Sequence, residues 1–226
     1  GHQANTTAGF SIVDYVGTGA LGTVAHGLGA VPHMIIVKNR TDASSWLVYH
    51  HKNTSAPETD ILELQATNAT YDNSTYWNDT APTSTVFTVN TSSDLNANDK
   101  NYIAYVFTGI QGYSKFGTYV GVNSTNNTFV YTGFNPAYIL VKANGGTEHW
   151  VTLDNVRNPG NVANKAFKTS DNTTERTSGY EVDFLSNGFK VRASSGQIGG
   201  NNSVYVYAAF AEAPFVTSNG APGNAR

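Results

Sequence analysis

Pro32-His33-Met34-Ile35-Ile36-Val37-Lys38 returns as Pro136-Ala137-Tyr138-Ile139-Leu140-Val141-Lys142, 136 against 32, an offset of 104. Tyr15-Val16-Gly17 returns as Tyr119-Val120-Gly121, and Trp46 as Trp150, at the same offset. Later pieces recur with slight drift. Phe87-Thr88-Val89 answers to Phe189-Lys190-Val191 at 102, and Tyr102-Ile103 with Phe107 to Tyr205-Val206 with Phe210 at 103. One apolar pattern kept over half the chain, slipping only in polar stretches, predicts two copies of one folding unit. What recurs is core, turn and aromatic residues. Residue types that catalyse do not recur, which points toward a building block or binding module.

Outward from these stretches the chain reads as strands. Helix-period patterning is nearly absent, and the apolar runs are short and rich in Val, Ile, Tyr, Phe and Thr. They predict strands near 10–16, 33–39, 46–50, 84–90 and 101–108 in the first copy. In the second copy they predict 117–121, 128–132, 137–142, 149–153, 180–185, 188–193 and 203–211. Ser186-Asn187-Gly188 marks a hairpin, because Asn-Gly accepts the positive φ of a type I′ turn. Thr59 to Gln65 reads as a short helix or an edge strand. The expected fold is all-β: two tandem, similar antiparallel β-sandwich units, jelly-roll-like, packed as one rigid body. The first spans 9–112 and the second 117–216, with Tyr113 and Phe116 packing at the short junction between the repeats. Residues 1–8 and 217–226 are polar and predict extended arms. Either a neighbouring copy holds them through Gly1, His2, Gln3, Phe215 and Arg226, or both ends dock on their own subunit.

Composition narrows the function. Only 13% of the 226 residues are charged, about half the usual fraction, so Asn, Thr and Ser must supply the polar surface. Such a surface suits carbohydrate contact or close subunit packing, since little charge has to be desolvated; it also suits any β protein with many turns. The net charge of −3, with no basic stripe, argues against nucleic-acid binding by phosphate neutralisation. There are no cysteines, hence no disulfides or thiol chemistry. No stretch approaches the ~20 apolar residues of a membrane-spanning helix, so no membrane insertion is expected. Gly1-His2-Gln3 reads as the start of a processed or truncated chain.

Candidate chemistry is sparse, and no cofactor is expected. His50-His51 would point to opposite faces of a strand, which disfavours a metal role. Asp94, Asn96, Asn98 and Asp99 place oxygen donors at near-alternate positions, as calcium loops do, but without their glycine and distal glutamate; an Asx-rich turn is the competing reading. No Gly-x-Ser-x-Gly elbow occurs. The carboxylates Asp60, Glu63, Asp183 and Glu212 are scattered rather than paired. Trp46 and Trp150 recur in register and read as core. Trp77, followed by Asn78 and Asp79, has no counterpart in the second copy and is expected to be exposed, where it would stack on a sugar ring with the two polar neighbours beside it.

Longer motifs carry a resemblance. Gly9-Phe-Ser-Ile-Val13, Trp77-Asn-Asp-Thr-Ala-Pro82, Gly112-Tyr-Ser-Lys-Phe-Gly117, Asp183-Phe-Leu-Ser-Asn-Gly-Phe-Lys190 and Ala208-Ala-Phe-Ala-Glu212 resemble a recurrent duplicated β-domain of tailed-phage and environmental viral proteins. The resemblance runs over roughly 9–226. It implies a place at the C-terminal end of long virion or tail-fibre-like proteins, and it supplies no catalytic residues. The expectation is therefore a non-enzymatic structural subunit of an extracellular fibre, filament or virion appendage, whose partners are copies of itself. The alternative is a receptor- or carbohydrate-binding module at a phage fibre tip, with cell-surface glycans as partners.

Overall fold

The computed structural model describes residues 1–212, so Phe215, Arg226 and the expected arm 217–226 lie outside the described residues. The chain divides into two compact units. The first is Gly1–Gln65 with Thr70–Thr108, and the second is Ala66–Ala69 with the chain from Gly109 onward.

In the first unit the elements run β1 (His2–Asn5), β2 (Phe10–Val16), β3 (Gly22–Ala25), β4 (Met34–Asn39), β5 (Trp46–His50), β6 (Asp60–Glu63), β7 (Tyr71–Asp72), α1 (Ser74–Trp77), β8 (Val86–Val89), α2 (Ser93–Asn96) and β9 (Asn101–Phe107). A seven-stranded sheet has the order β1-β2-β9-β4-β5-β6-β7, and β3 pairs with β8 in a second, small sheet. All the pairings are antiparallel. The core takes Val13, Ile35, Val37, Leu47, Tyr49, Ala104 and Val106 from the large sheet, and Phe87 and Val89 from the small one. Alternate residues of each strand turn the same way, so Ile35 and Val37 reach this core together.

In the second unit the elements are β10 (Ser114–Val120), β11 (Phe129–Tyr131), β12 (Pro136–Ala143), β13 (Val151–Asp154), β14 (Ala166–Lys168), β15 (Val182–Leu185), β16 (Gly188–Val191) and β17 (Val204–Ala211). The large sheet reads β10-β17-β12-β13-β14 and the small one β11-β16-β15. This order reproduces β2-β9-β4-β5-β6 and β3-β8 of the first unit. The core again lies between large and small sheets, with Ile139, Val141, Val151, Leu153, Tyr205 and Tyr207 facing Val130, Phe189 and Val191.

The all-β, sandwich-like expectation holds, with antiparallel sheets in both units. Residues 59–65, expected as a short helix or an edge strand, hold β6, which pairs with β5 on one side and β7 on the other and so is neither. The first eight residues are placed by their own chain: β1 adds to β2 along His2↔Val13 through Asn5↔Phe10. The order of this arm therefore needs no neighbouring copy. Tyr113 and Phe116, expected at the junction, pack edge-on against Phe210 within the second unit, at ring separations of 6.2 and 5.7 Å.

Candidate functional site

The ligand-binding expectation for Trp77 is corrected by its burial. Asn73 caps the single turn α1 by accepting from the Thr75 N–H, and Asn78 closes it in the left-handed conformation, φ 56°. This turn carries Tyr76 and Trp77 inward. Trp77 is only 2% exposed, its indole N–H donates to the Asp60 carbonyl at 3.1 Å, and it meets Tyr49 edge-on at 6.1 Å. No ring face is left for a sugar. The Asn78 side-chain carbonyl accepts from the Asn90 amide, and Asp79 follows with φ 47°. The three residues close a turn.

The calcium reading fails on similar grounds. The Asn96 side chain is buried; its carbonyl accepts from the Thr18 N–H at 2.9 Å, and its amide donates to the carbonyls of Ala20 and Asn90. Asp94 lies within α2 and Asp99 accepts from the Asn98 amide. Among the described residues no group of three His, Cys, Asp or Glu side chains is placed to hold a metal ion. Of the scattered carboxylates, Asp60 accepts from the Thr54 hydroxyl, Glu63 from Ser45 at 2.8 Å, and Asp183 pairs with Arg192 at 3.5 Å.

The recurring tyrosines form a lock that occurs in both units. Tyr15 stacks on Tyr102 at 5.1 Å, and Tyr119 on Tyr205 at 5.0 Å. Tyr15 donates to the Leu95 carbonyl and Tyr119 to that of Ile198, each at 2.7 Å. Tyr102 donates to Ser93 and accepts from the Ala97 N–H; Tyr205 does the same with Gly196 and Gly200. Burial pushes the phenols of Tyr15 and Tyr119 well above their ordinary value of 10, so they stay neutral donors. The lock ties β2 to the segment before β9, and β10 to the segment before β17, which is a scaffold role.

One polar cluster surrounds His149. Its Nδ1 lies 2.8 Å from the Ser170 hydroxyl and its Nε2 4.0 Å from Asp171. Asp171 also faces Lys168 at 3.6 Å and Arg176 at 3.9 Å. Burial first, then Lys168, holds the imidazole below its usual 6.5 despite Asp171, so it is neutral at pH 7. Ser170 and Asp171 are chain neighbours, and together they anchor one turn to His149.

The exposed face of the second unit's small sheet differs from all of this. In β11, Val130 is buried while Phe129 is 43% and Tyr131 59% exposed. Phe129 stands opposite Lys190 and Tyr131 opposite Gly188. Asp183 and Leu185 continue the same face on β15. Gly188 is buried; a side chain there would run into the Val130 carbonyl first and then into the edge of the Phe129 ring, which lies beside the glycine. Lys115 donates to the Tyr131 carbonyl at 2.7 Å with its ammonium 5.2 Å from the ring centroid. Sequence reasoning placed a strand at 128–132 but singled out neither aromatic. The signal was the alternation of Phe129, Val130 and Tyr131, with two aromatics sharing one face.

Strand order, core placement and burial together define an all-β, sandwich-like protein of two similarly ordered units. The chain belongs to the family of the domain of unknown function DUF7483, which matches residues 2–214. No curated protein and no solved structure matches the chain.

Proposed function

We propose that this protein is a non-enzymatic structural subunit of an extracellular fibre, filament or virion appendage that assembles with copies of itself through sheet edges and terminal arms. The observation that carries this reading is β1. Of the four strands that end the two large sheets, β7, β10 and β14 carry Asp72, Lys115 and Lys168, whereas β1, His-Gln-Ala-Asn, carries no acid, lysine or proline and is mostly exposed. An end strand offers unpaired N–H and C=O groups, and charges and prolines are what blunt such edges. A neutral polar surface, with 13% charged residues, lowers the desolvation cost of a contact between copies. A heterologous edge contact that does not close builds a filament.

Placing lysines on the edge, Gln3→Lys with Asn5→Lys, tests this, with deletion of residues 1–8 as the second variant. Light scattering is expected to show assemblies of the parent and smaller particles for both variants. Equal particle sizes for all three proteins would reject assembly through this edge. A second reading, a receptor- or carbohydrate-binding module at a phage fibre tip, is favoured by a different observation, the exposed Phe129 and Tyr131.

A further inference from the structure

Two large aromatic side chains held out on an edge strand are not explained by the fold. The register gives a direct comparison. Phe87 and Phe189 occupy matching positions in β8 and β16, facing Val24 and Val130. Stepping one residue either way, Phe129 and Tyr131 correspond to Thr23 and Ala25, Lys190 to Thr88, and Gly188 to Val86. The first unit builds the same small-sheet pairing with none of these four residues. The aromatic and cationic set of the second unit is therefore an addition to the scaffold rather than a requirement of it.

The set has the chemistry of a sugar site. Side chains two apart on a strand stand roughly 7 Å from one another on one face, so Phe129 and Tyr131 present neighbouring ring surfaces. The C–H face of a pyranose is apolar enough to lie on such a ring, while its hydroxyls stay in water or meet polar neighbours. Beside the rings stand Lys115 and, opposite Phe129, Lys190, with Asp183 across from Lys190 on β15 and Glu181 two residues before it. Arg192 and Asp183 pair with each other. Lys190 has no ion-pair partner among the described residues. Lys115 gives one hydrogen bond to the Tyr131 carbonyl, and an ammonium has three to give. Two cations thus flank the rings with capacity left for an anion.

We infer that the outer face of β11, β16 and β15 binds an acidic glycan, with pyranose rings stacked on Phe129 and Tyr131 and ring carboxylates met by Lys190 and Lys115. The inference deepens the carbohydrate-binding reading above and rests on it; it needs nothing from the assembly reading. Two cations with unused donors beside the rings choose a carboxylated sugar as the occupant, and contact with a second copy is one outcome of the test below.

Isothermal titration with a galacturonic acid tetrasaccharide, its carboxyl-reduced counterpart and a sialylated trisaccharide tests it. At least one carboxylated sugar is expected to bind, more tightly than the reduced one and more weakly as salt rises. Phe129→Thr and Tyr131→Ala install the residues of the first unit at exposed positions, so unfolding midpoints are expected to stay put while affinity falls about tenfold each. Lys190→Gln is expected to narrow the preference for the carboxylated sugar. Equal binding of the reduced sugar, lost in Phe129→Thr, overturns the acidic ligand but leaves a carbohydrate module. Binding of none of the sugars overturns both, as does unchanged affinity in the aromatic variants. A fall in particle mass in those variants, with no sugar bound, assigns the face to contact between copies.

Discussion

Raising the pH from 7 to 9.5 is expected to stabilise the second unit through one side chain, Lys142. Its ammonium is fully buried at the end of β12, where it donates to the carbonyls of Ala143 (2.8 Å), Gly146 (3.1 Å) and Thr67 (3.4 Å). Burial pulls its pKa from 10.5 down to about 8, with Glu148 pulling the other way. The unfolded chain keeps the ordinary value. Between those two values the unfolded state binds more protons than the folded state, so folding stability rises with pH across that window. At ~1.36 kcal/mol for each unit of pKa difference, the part released between pH 7 and 9.5 is about 2 kcal/mol. For a chain of 226 residues that is a rise in Tm of roughly 4–8 °C. Lys142→Met keeps an unbranched stem without the charge. Thermal unfolding of both proteins by circular dichroism over this range isolates the group, because every other titration is shared. His26, His33 and His149 are held below 6.5, and the shifted tyrosines lie above 10, outside the window. A wild-type midpoint that runs parallel to that of the methionine variant from pH 7 to 9.5 refutes the reasoning.

Two further substitutions read the core and the close approaches. Trp77→Ala removes a buried side chain and its hydrogen bond to Asp60, and is expected to lower stability by about 3–5 kcal/mol in urea unfolding while leaving sugar binding unchanged; an unmoved midpoint would mean the indole is not in the core. Gly17→Ala and Gly121→Ala each push a methyl into a backbone carbonyl, of Ala97 and Gly200 respectively, and are expected to destabilise by about 1–3 kcal/mol, whereas Gly145→Ala meets nothing within 4 Å and serves as the control.

How far the sequence can be read depends on where the deciding forces lie. β2 and β5 fall on the predicted 10–16 and 46–50, because their apolar residues record burial directly. β1, β3, β7 and β14 lie outside the predicted strands. They are two to four residues long, and β1 has no apolar alternation to read; a neighbour's free edge makes each of them a strand. Trp77 misleads for a related reason. Its polar neighbours suggest surface, yet those neighbours are the cap and the left-handed terminator that swing the indole inward. Phe129 and Tyr131 fail in the opposite direction. Their shared face is legible, but which face of a short strand looks outward is set by a core that lies elsewhere in the chain.

The two units separate scaffold from addition without any outside comparison. Both contain the stacked tyrosines, the hydrogen bonds to the segment before β9 or β17, and a glycine whose lack of a side chain lets that segment close in. A feature built twice with matched partners is what this strand order needs in order to close. Features built once are free of that need. The equivalent lysines show the distinction: Lys38 donates to the Ser44 carbonyl at 2.6 Å and stays half-exposed beside Trp46, while Lys142 is drawn wholly inside among three carbonyls. Phe129, Tyr131 and Lys190 stand where the first unit has Thr23, Ala25 and Thr88. Binding chemistry is therefore to be sought on the second unit's outer small sheet. Assembly chemistry is to be sought on β1, for which the second unit's five-stranded large sheet has no counterpart.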